Sequence, residues 1–248
     1  MELDAAFFAV AVPAVLFAGI SKGGFGSGAS FAAAPLLALV LEPQLAVALL
    51  LPLLMLMDVA GLRSYWRQWS TAHVRVLMIG AVPGVLAGMA LFGSVRPETL
   101  RLMLGLLALG FVAFQIAREL GLVAPARPPA GAGYAWGAAA GFTSFVAHAG
   151  GPPAAIYLLG SRLEKTAYQA STIVVFWWVN LLKFPAYAGL GLFTAETAGA
   201  GVMLAPVAIL GVALGVWAHR RIAPRPFFIV TYALLTLTGA KLVWGAIA

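Results

Sequence analysis

The sequence predicts an all-α polytopic membrane protein made of two inverted repeats, each a broken or re-entrant helical hairpin followed by three transmembrane helices. Three observations carry that expectation. Hydrophobic residues fill 62% of the 248 positions and charged residues only 9%, against roughly 25% charged in an ordinary soluble domain. Apolar stretches run over 3–41, 45–62, 76–95, 99–117, 133–160, 167–190, 198–218 and 227–247, and each reaches or approaches the ~17–25 residues that take a helix across the bilayer. The second half also echoes the first. Shifted by 122, residues 18–37 match 7 of 20 positions, among them Ala18-Gly19 with Ala140-Gly141 and Gly28 with Gly150. Weak internal symmetry of this kind is what transporter repeats leave in a sequence.

Taken in order, the first stretch begins Met1-Glu2-Leu3-Asp4 with no basic segment, so it does not read as a cleavable signal. It is too long for one helix and is cut by Ser21-Lys22-Gly23-Gly24-Phe25-Gly26-Ser27-Gly28. Three spans follow, ending near residue 117. A short cytoplasmic linker, 118–132, leads to the stretch 133–160, which is cut in turn by His148-Ala149-Gly150-Gly151-Pro152-Pro153. Three more spans complete the chain. The whole is one membrane transport domain over 1–248, with repeat 1 at about 3–117 and repeat 2 at about 133–247.

Loop charges decide how the cut stretches run. If 133–160 crosses once, Lys and Arg divide almost evenly between the two sides. If it returns to the side it entered, ten basic residues lie inside against three outside, and Glu2, Asp4, Glu42, Glu98 and Glu196 fall outside. The positive-inside rule favours the returning hairpin. Residues 3–41 then form the matching hairpin, opening outward with the N-terminus outside. The net charge of +7 is spread singly over short loops, which fits topology and not nucleic acid. Cysteine is absent, so disulfides and thiolate metal sites are excluded, and no cofactor, metal or catalytic residue is expected.

Candidate functional residues gather at the two cuts. Backbone that leaves a helix at membrane depth must have its polar groups satisfied by protein, water or ligand, and a half-helix beginning there turns its positive end into the break. Ser21, Lys22, Gly23, Gly24, Gly26, Ser27 and Gly28 at the first break, with Thr143, Ser144, His148, Gly150 and Gly151 at the second, are read as the site of a small anionic substrate. The competing reading makes the glycines close helix contacts and lets Lys22 snorkel to an interface. Asp58 is the one acidic residue well inside an apolar stretch, and Asn180 and Lys183 occupy the matching part of repeat 2; with His148 they are assigned to coupling or charge balance. Tyr65, Trp66, Trp69, Trp177 and Trp178 are expected in interfacial aromatic belts. A Ser21–Lys22 nucleophile is rejected, because neighbouring residues point in different directions.

The run from Gly19 to Gly28, followed by Pro35-Leu36-Leu37, closely resembles the sulfite exporter TauE/SafE family, also called the toluenesulfonate uptake permease family. The second-repeat run from His148 to Pro153 extends the resemblance over essentially the whole chain. It implies a multi-pass carrier of the bacterial inner membrane whose substrates are sulfur oxyanions and organosulfonates, such as sulfite, thiosulfate and sulfoacetate. An anion channel, a carrier of a non-sulfur carboxylate or other anion, a cation or metabolite transporter and a structural subunit are the alternatives. The partners expected are the lipid bilayer and the substrate, with no nucleic acid; the assembly is left open between a single chain and a homodimer.

Topology is directly testable because the chain has no native cysteine. A single Arg162→Cys or Arg225→Cys is expected to stay unlabelled by an impermeant thiol reagent in intact spheroplasts and to react once they are permeabilised. Labelling of either in intact cells overturns the inverted arrangement.

Overall fold

The computed structural model describes residues 3–26, 29–92, 95–122, 128–129 and 131–247. All regular structure among them is helical. Helix α1 covers Ala5–Ile20 and runs into a π-turn at Ser21–Phe25; a 3₁₀ turn at Ser30–Ala32 then leads into the short α2, Ala33–Leu37. Helices α3 (Pro43–Ser64), α4 (Thr71–Phe92) and α5 (Pro97–Glu119) follow. The second half opens with α6 (Ala132–Ala147) and α7 (Gly151–Gly160), then α8 (Lys165–Gly189), α9 (Ala195–Arg221) and α10 (Pro224–Ile247). Each apolar stretch of the sequence thus holds a helix, and 3–41 and 133–160 hold two each.

Among the described residues, six helical segments are long and apolar enough to cross a membrane: Ala5–Phe25, Pro43–Ser64, Thr71–Phe92, Pro97–Glu119, Ala195–Arg221 and Arg225–Ile247. Helix α8 has 25 residues but carries Gln169, Ser171, Thr172, Asn180 and Lys183 on its buried side. These lower its hydropathy below that of its neighbours. They are also why it sits in the centre of the bundle, where polar groups find protein partners.

Local chemistry fixes the helix starts. Asp4 accepts the amide of Phe7 at 2.8 Å and caps α1, Pro43 and Pro97 occupy first-turn positions whose N–H is not needed, and Thr194 and Thr197 form a reciprocal cap on α9. Both cuts pass through a left-handed residue: Gly26 at φ +81° and His148 at φ +53°, which are 122 positions apart. Histidine at positive φ is uncommon. Its ring is held by two hydrogen bonds described below, which compensate the backbone.

Helices α1 and α9, and likewise α4 and α6, approach so closely that side chains are excluded. Along α1 and its π-turn, a Cβ on Gly19 would lie 2.8 Å from the carbonyl of Ala208, and one on Gly23 or Gly24 would strike the α9 backbone at Val212 or Gly215. Along α4, a Cβ on Gly80 or Gly84 would strike the α6 backbone at Tyr134 or Ala138. Without a hydrophobic force between helices in lipid, small residues that permit backbone approach supply much of the packing energy. Gly23 and Gly24 were expected to line an anion site; their open faces are instead filled by α9, because the π-turn continues the α1 surface that packs there. Gly26 likewise faces the ring of Tyr168, and Gly150 the carbonyl of Ala140. Ser27 and Gly28 lie outside the described residues.

Gly84→Val and Gly215→Val should each force their helices apart and cost roughly 1–3 kcal/mol or more, read as a lower thermal midpoint in detergent. Gly201→Ala, where the added methyl meets nothing within 4 Å, is expected to leave the midpoint unchanged or raise it slightly.

Candidate functional site

At the first break, four carbonyls are each met by a side chain. The Gln169 amide donates to Lys22 O at 2.5 Å, the Tyr65 hydroxyl to Gly23 O at 2.7 Å, the ring Nδ1–H of His219 to Gly24 O at 2.7 Å and the Ser21 hydroxyl to Gly26 O at 2.9 Å. These donors come from α8, the end of α3, α9 and the break itself. The second break is treated the same way. Tyr187 donates to Phe145 O at 2.5 Å and Lys183 to Ser144 O at 3.0 Å, while Thr143 Oγ1 lies 3.0 Å from Ala149 O and 2.7 Å from Ala139 O. Unmet carbonyls at this depth would cost several kcal/mol each, so the side chains are what permits the helices to break.

Tyr65 was expected in an interfacial belt; it is 4% exposed and caps the first break instead. Trp66, by contrast, is 61% exposed. Trp178 donates its indole N–H to Met78 O at 3.2 Å and so joins α8 to α4. The 122-residue shift pairs Tyr187 with Tyr65 in the sequence but gives it no role, and Gln169 and His219 were not singled out.

Between the breaks lies a buried polar cluster. Lys22 Nζ is 2.5 Å from Asp58 Oδ1, with the two side chains 3% and 0% exposed. Asn180 donates its amide to Asp58 Oδ2 at 2.8 Å. Lys183 Nζ sits 2.7 Å from His148 Nδ1, 3.0 Å from Ser144 O and 3.2 Å from Ser144 Oγ. His148 reaches Val47 O from Nε2 at 2.8 Å. A carbonyl only accepts, so the His148 proton is on Nε2, and Nδ1 of the neutral ring accepts from Lys183. The structure thus brings together Lys22, Asp58, Asn180, Lys183, Ser144 and His148, whereas Gly23 and Gly24 serve packing.

Two features of the cluster matter chemically. Among the described residues Asp58 is the only buried carboxylate, so two buried lysines share one acid. Lys183 is also satisfied in either protonation state. As an ammonium it donates to all three neighbours; as an amine it donates to two and accepts from the Ser144 hydroxyl, which is free to rotate.

The cluster surrounds a void of about 10 Å³ lined by Lys22, Ser30, Ser144, His148, Phe176 and Asn180, with Leu54 and Gly151 completing the wall. That is room for about one water. Gly151 opens the ten-residue α7, whose positive end therefore faces the void. After the first break a 3₁₀ turn, Ser30–Ala32, runs into the five-residue α2, a shorter helical piece than α7, and Lys22 adds its charge on that side of the void.

The family model for "Sulfite exporter TauE/SafE" matches residues 11–242. No curated protein and no solved structure matches the chain.

A buried ion pair that loses one partner leaves an uncompensated charge, at a cost of about 3–5 kcal/mol. Lys22→Met should lower the thermal midpoint markedly, and Lys22→Met/Asp58→Leu should recover most of the loss. A double variant no more stable than Lys22→Met alone contradicts the pairing.

Proposed function

The chain belongs to the Sulfite exporter TauE/SafE family, and on that premise we propose that it is a secondary transporter of the bacterial inner membrane that moves sulfite or a related sulfur oxyanion or sulfonate. The observation that carries this reading is the excess of buried lysine over buried carboxylate between the two breaks. A cation at the bilayer centre costs about 2.5–3.5 kcal/mol even on the lenient insertion scale. Asp58 offsets that cost for Lys22, and an incoming oxyanion does so for Lys183 or competes with Asp58 for Lys22. Ser144, Asn180 and the amino end of α7 supply neutral donors to its remaining oxygens.

Three findings support the inverted repeat as the frame for transport. Tyr65 caps Gly23 and Tyr187 caps Phe145, both 42 positions back. Asp58 and Asn180, 122 positions apart, touch each other, as residues on a pseudo-two-fold axis do. Helix α1 packs on α9 while its counterpart α6 packs on α4, an exchange of partners between the halves. A void closed to the size of one water favours a carrier that alternates between its two sides over a standing channel. Lys183 is the natural site for a coupled proton, because it gains or loses one without stranding a hydrogen bond.

Binding of sulfite to purified protein, followed by calorimetry, tests the site. Lys22→Ala should weaken it at least tenfold, about 1.4 kcal/mol, and Lys22→Arg should fit the closed void poorly. In proteoliposomes, Lys183→Met and His148→Ala should lose accumulation driven by a pH gradient yet retain exchange of substrate for substrate. Wild-type affinity in folded Lys22→Ala removes Lys22 from the site, and unchanged gradient-driven uptake in both other variants removes the proton.

A further inference from the structure

Two cavities on one flank of the bundle share Phe111 in their walls. The larger, about 670 Å³, opens where α5, α8, α9 and α10 end or begin, and Arg118, Lys165 and Arg225 stand at its rim with one carboxylate, Glu119. The smaller, about 270 Å³, continues down α5 past Gly110 to Leu106 and is walled opposite by Pro152, Pro153 and Ile156 of α7. Thr143 is the one polar side chain along it.

We propose that these two neighbouring cavities form one cleft that holds an anionic phospholipid, its phosphate on Arg118, Lys165 and Arg225 and an acyl chain laid along α5 against α7. Charge argues for the head. Arg118, Lys165 and Arg225 are exposed, and no ion pair among the described residues engages them; Lys165 is occupied only by the carbonyl of His219, at 2.6 Å. Basic pockets between membrane helices are where anionic headgroups lodge. Length argues for the tail. Twelve residues separate Arg118 from Leu106, about 18 Å of helix, close to the ~15 Å of hydrocarbon in one leaflet. Leu106, Leu159 and Ile229, on the cleft's edges, are 54%, 42% and 59% exposed, so it opens sideways to lipid. A small soluble anion would leave this apolar length empty.

The cleft touches the first break at Gly24 and Phe25 and the second at Thr143 and Ala149. Its occupant therefore bears on both hinges at once.

The full chain, delipidated in detergent, is titrated with phosphatidylglycerol or phosphatidylcholine of identical chains and read by native mass spectrometry and thermal unfolding. Phosphatidylglycerol is expected to bind at least tenfold better. Arg118→Gln/Arg225→Gln should erase that preference. Gly110→Phe should lower binding at least tenfold while the fold stays intact, since a side chain there starts in open space; Ile156→Trp blocks the same groove from the facing wall. Gly199→Phe, equally open but remote, is the unaffected control. Equal binding of the two lipids overturns the proposal, as does an effect of the head or the groove variants without the other. A stabilisation reproduced by inorganic phosphate alone overturns it too, because the site would then hold a free anion.

Discussion

A peptide chain that leaves helical geometry inside a membrane strands its carbonyls, and the arrangement of this bundle follows from meeting that demand. The first break exposes Lys22, Gly23, Gly24 and Gly26 carbonyls, and the partners that reach them come from α3, α8, α9 and the break itself. Those helices must therefore converge on the break. The glycines that let α9 lie against α1 put His219 within reach of Gly24, and the buried polar edge of α8 puts Gln169 against Lys22. Packing and hydrogen bonding are one constraint seen twice.

The same demand explains the cluster of charges. Donors that cap carbonyls at this depth can be neutral, and most are. His219 at Gly24 O and Lys183 at Ser144 O are titratable caps, and of the two Lys183 belongs to the buried cluster. Once lysines are present, a single carboxylate and the amide of Asn180 hold the centre together. Pairing is costly in desolvation and adds little net stability, which is why the proposed function takes a buried set of this composition as an anion site. Lys22 is turned to Asp58 across a void of about 10 Å³ that Ser144, His148 and Asn180 also line.

Much of this was legible in the residue order. Eight apolar stretches mark the helices, Lys22 and Asp58 stand out as ions with nowhere to go, and the 122-residue shift pairs Asp58 with Asn180, which it touches, and Tyr65 with Tyr187, which caps the equivalent break. What the sequence hid is whatever depends on direction. Tyr65 beside Trp66 looks like an interfacial belt, and only the angle at which α3 ends turns one ring inward and leaves the other exposed. Glycine runs signal both ligand cradles and helix contacts, and the approach of α9 decides for contact at Gly23 and Gly24.

The central claim is that a sulfur oxyanion binds between the breaks against Lys22, Ser144 and Asn180. Selenite has nearly the shape and charge of sulfite and scatters anomalously, so diffraction from crystals grown with it locates the anion without reference to any variant. One strong anomalous peak within hydrogen-bond reach of Lys22 and Ser144, with the Lys22–Asp58 contact lengthened, is the result expected. A peak confined to the basic rim near Arg118 and Arg225, with Lys22 still paired to Asp58, would contradict the account.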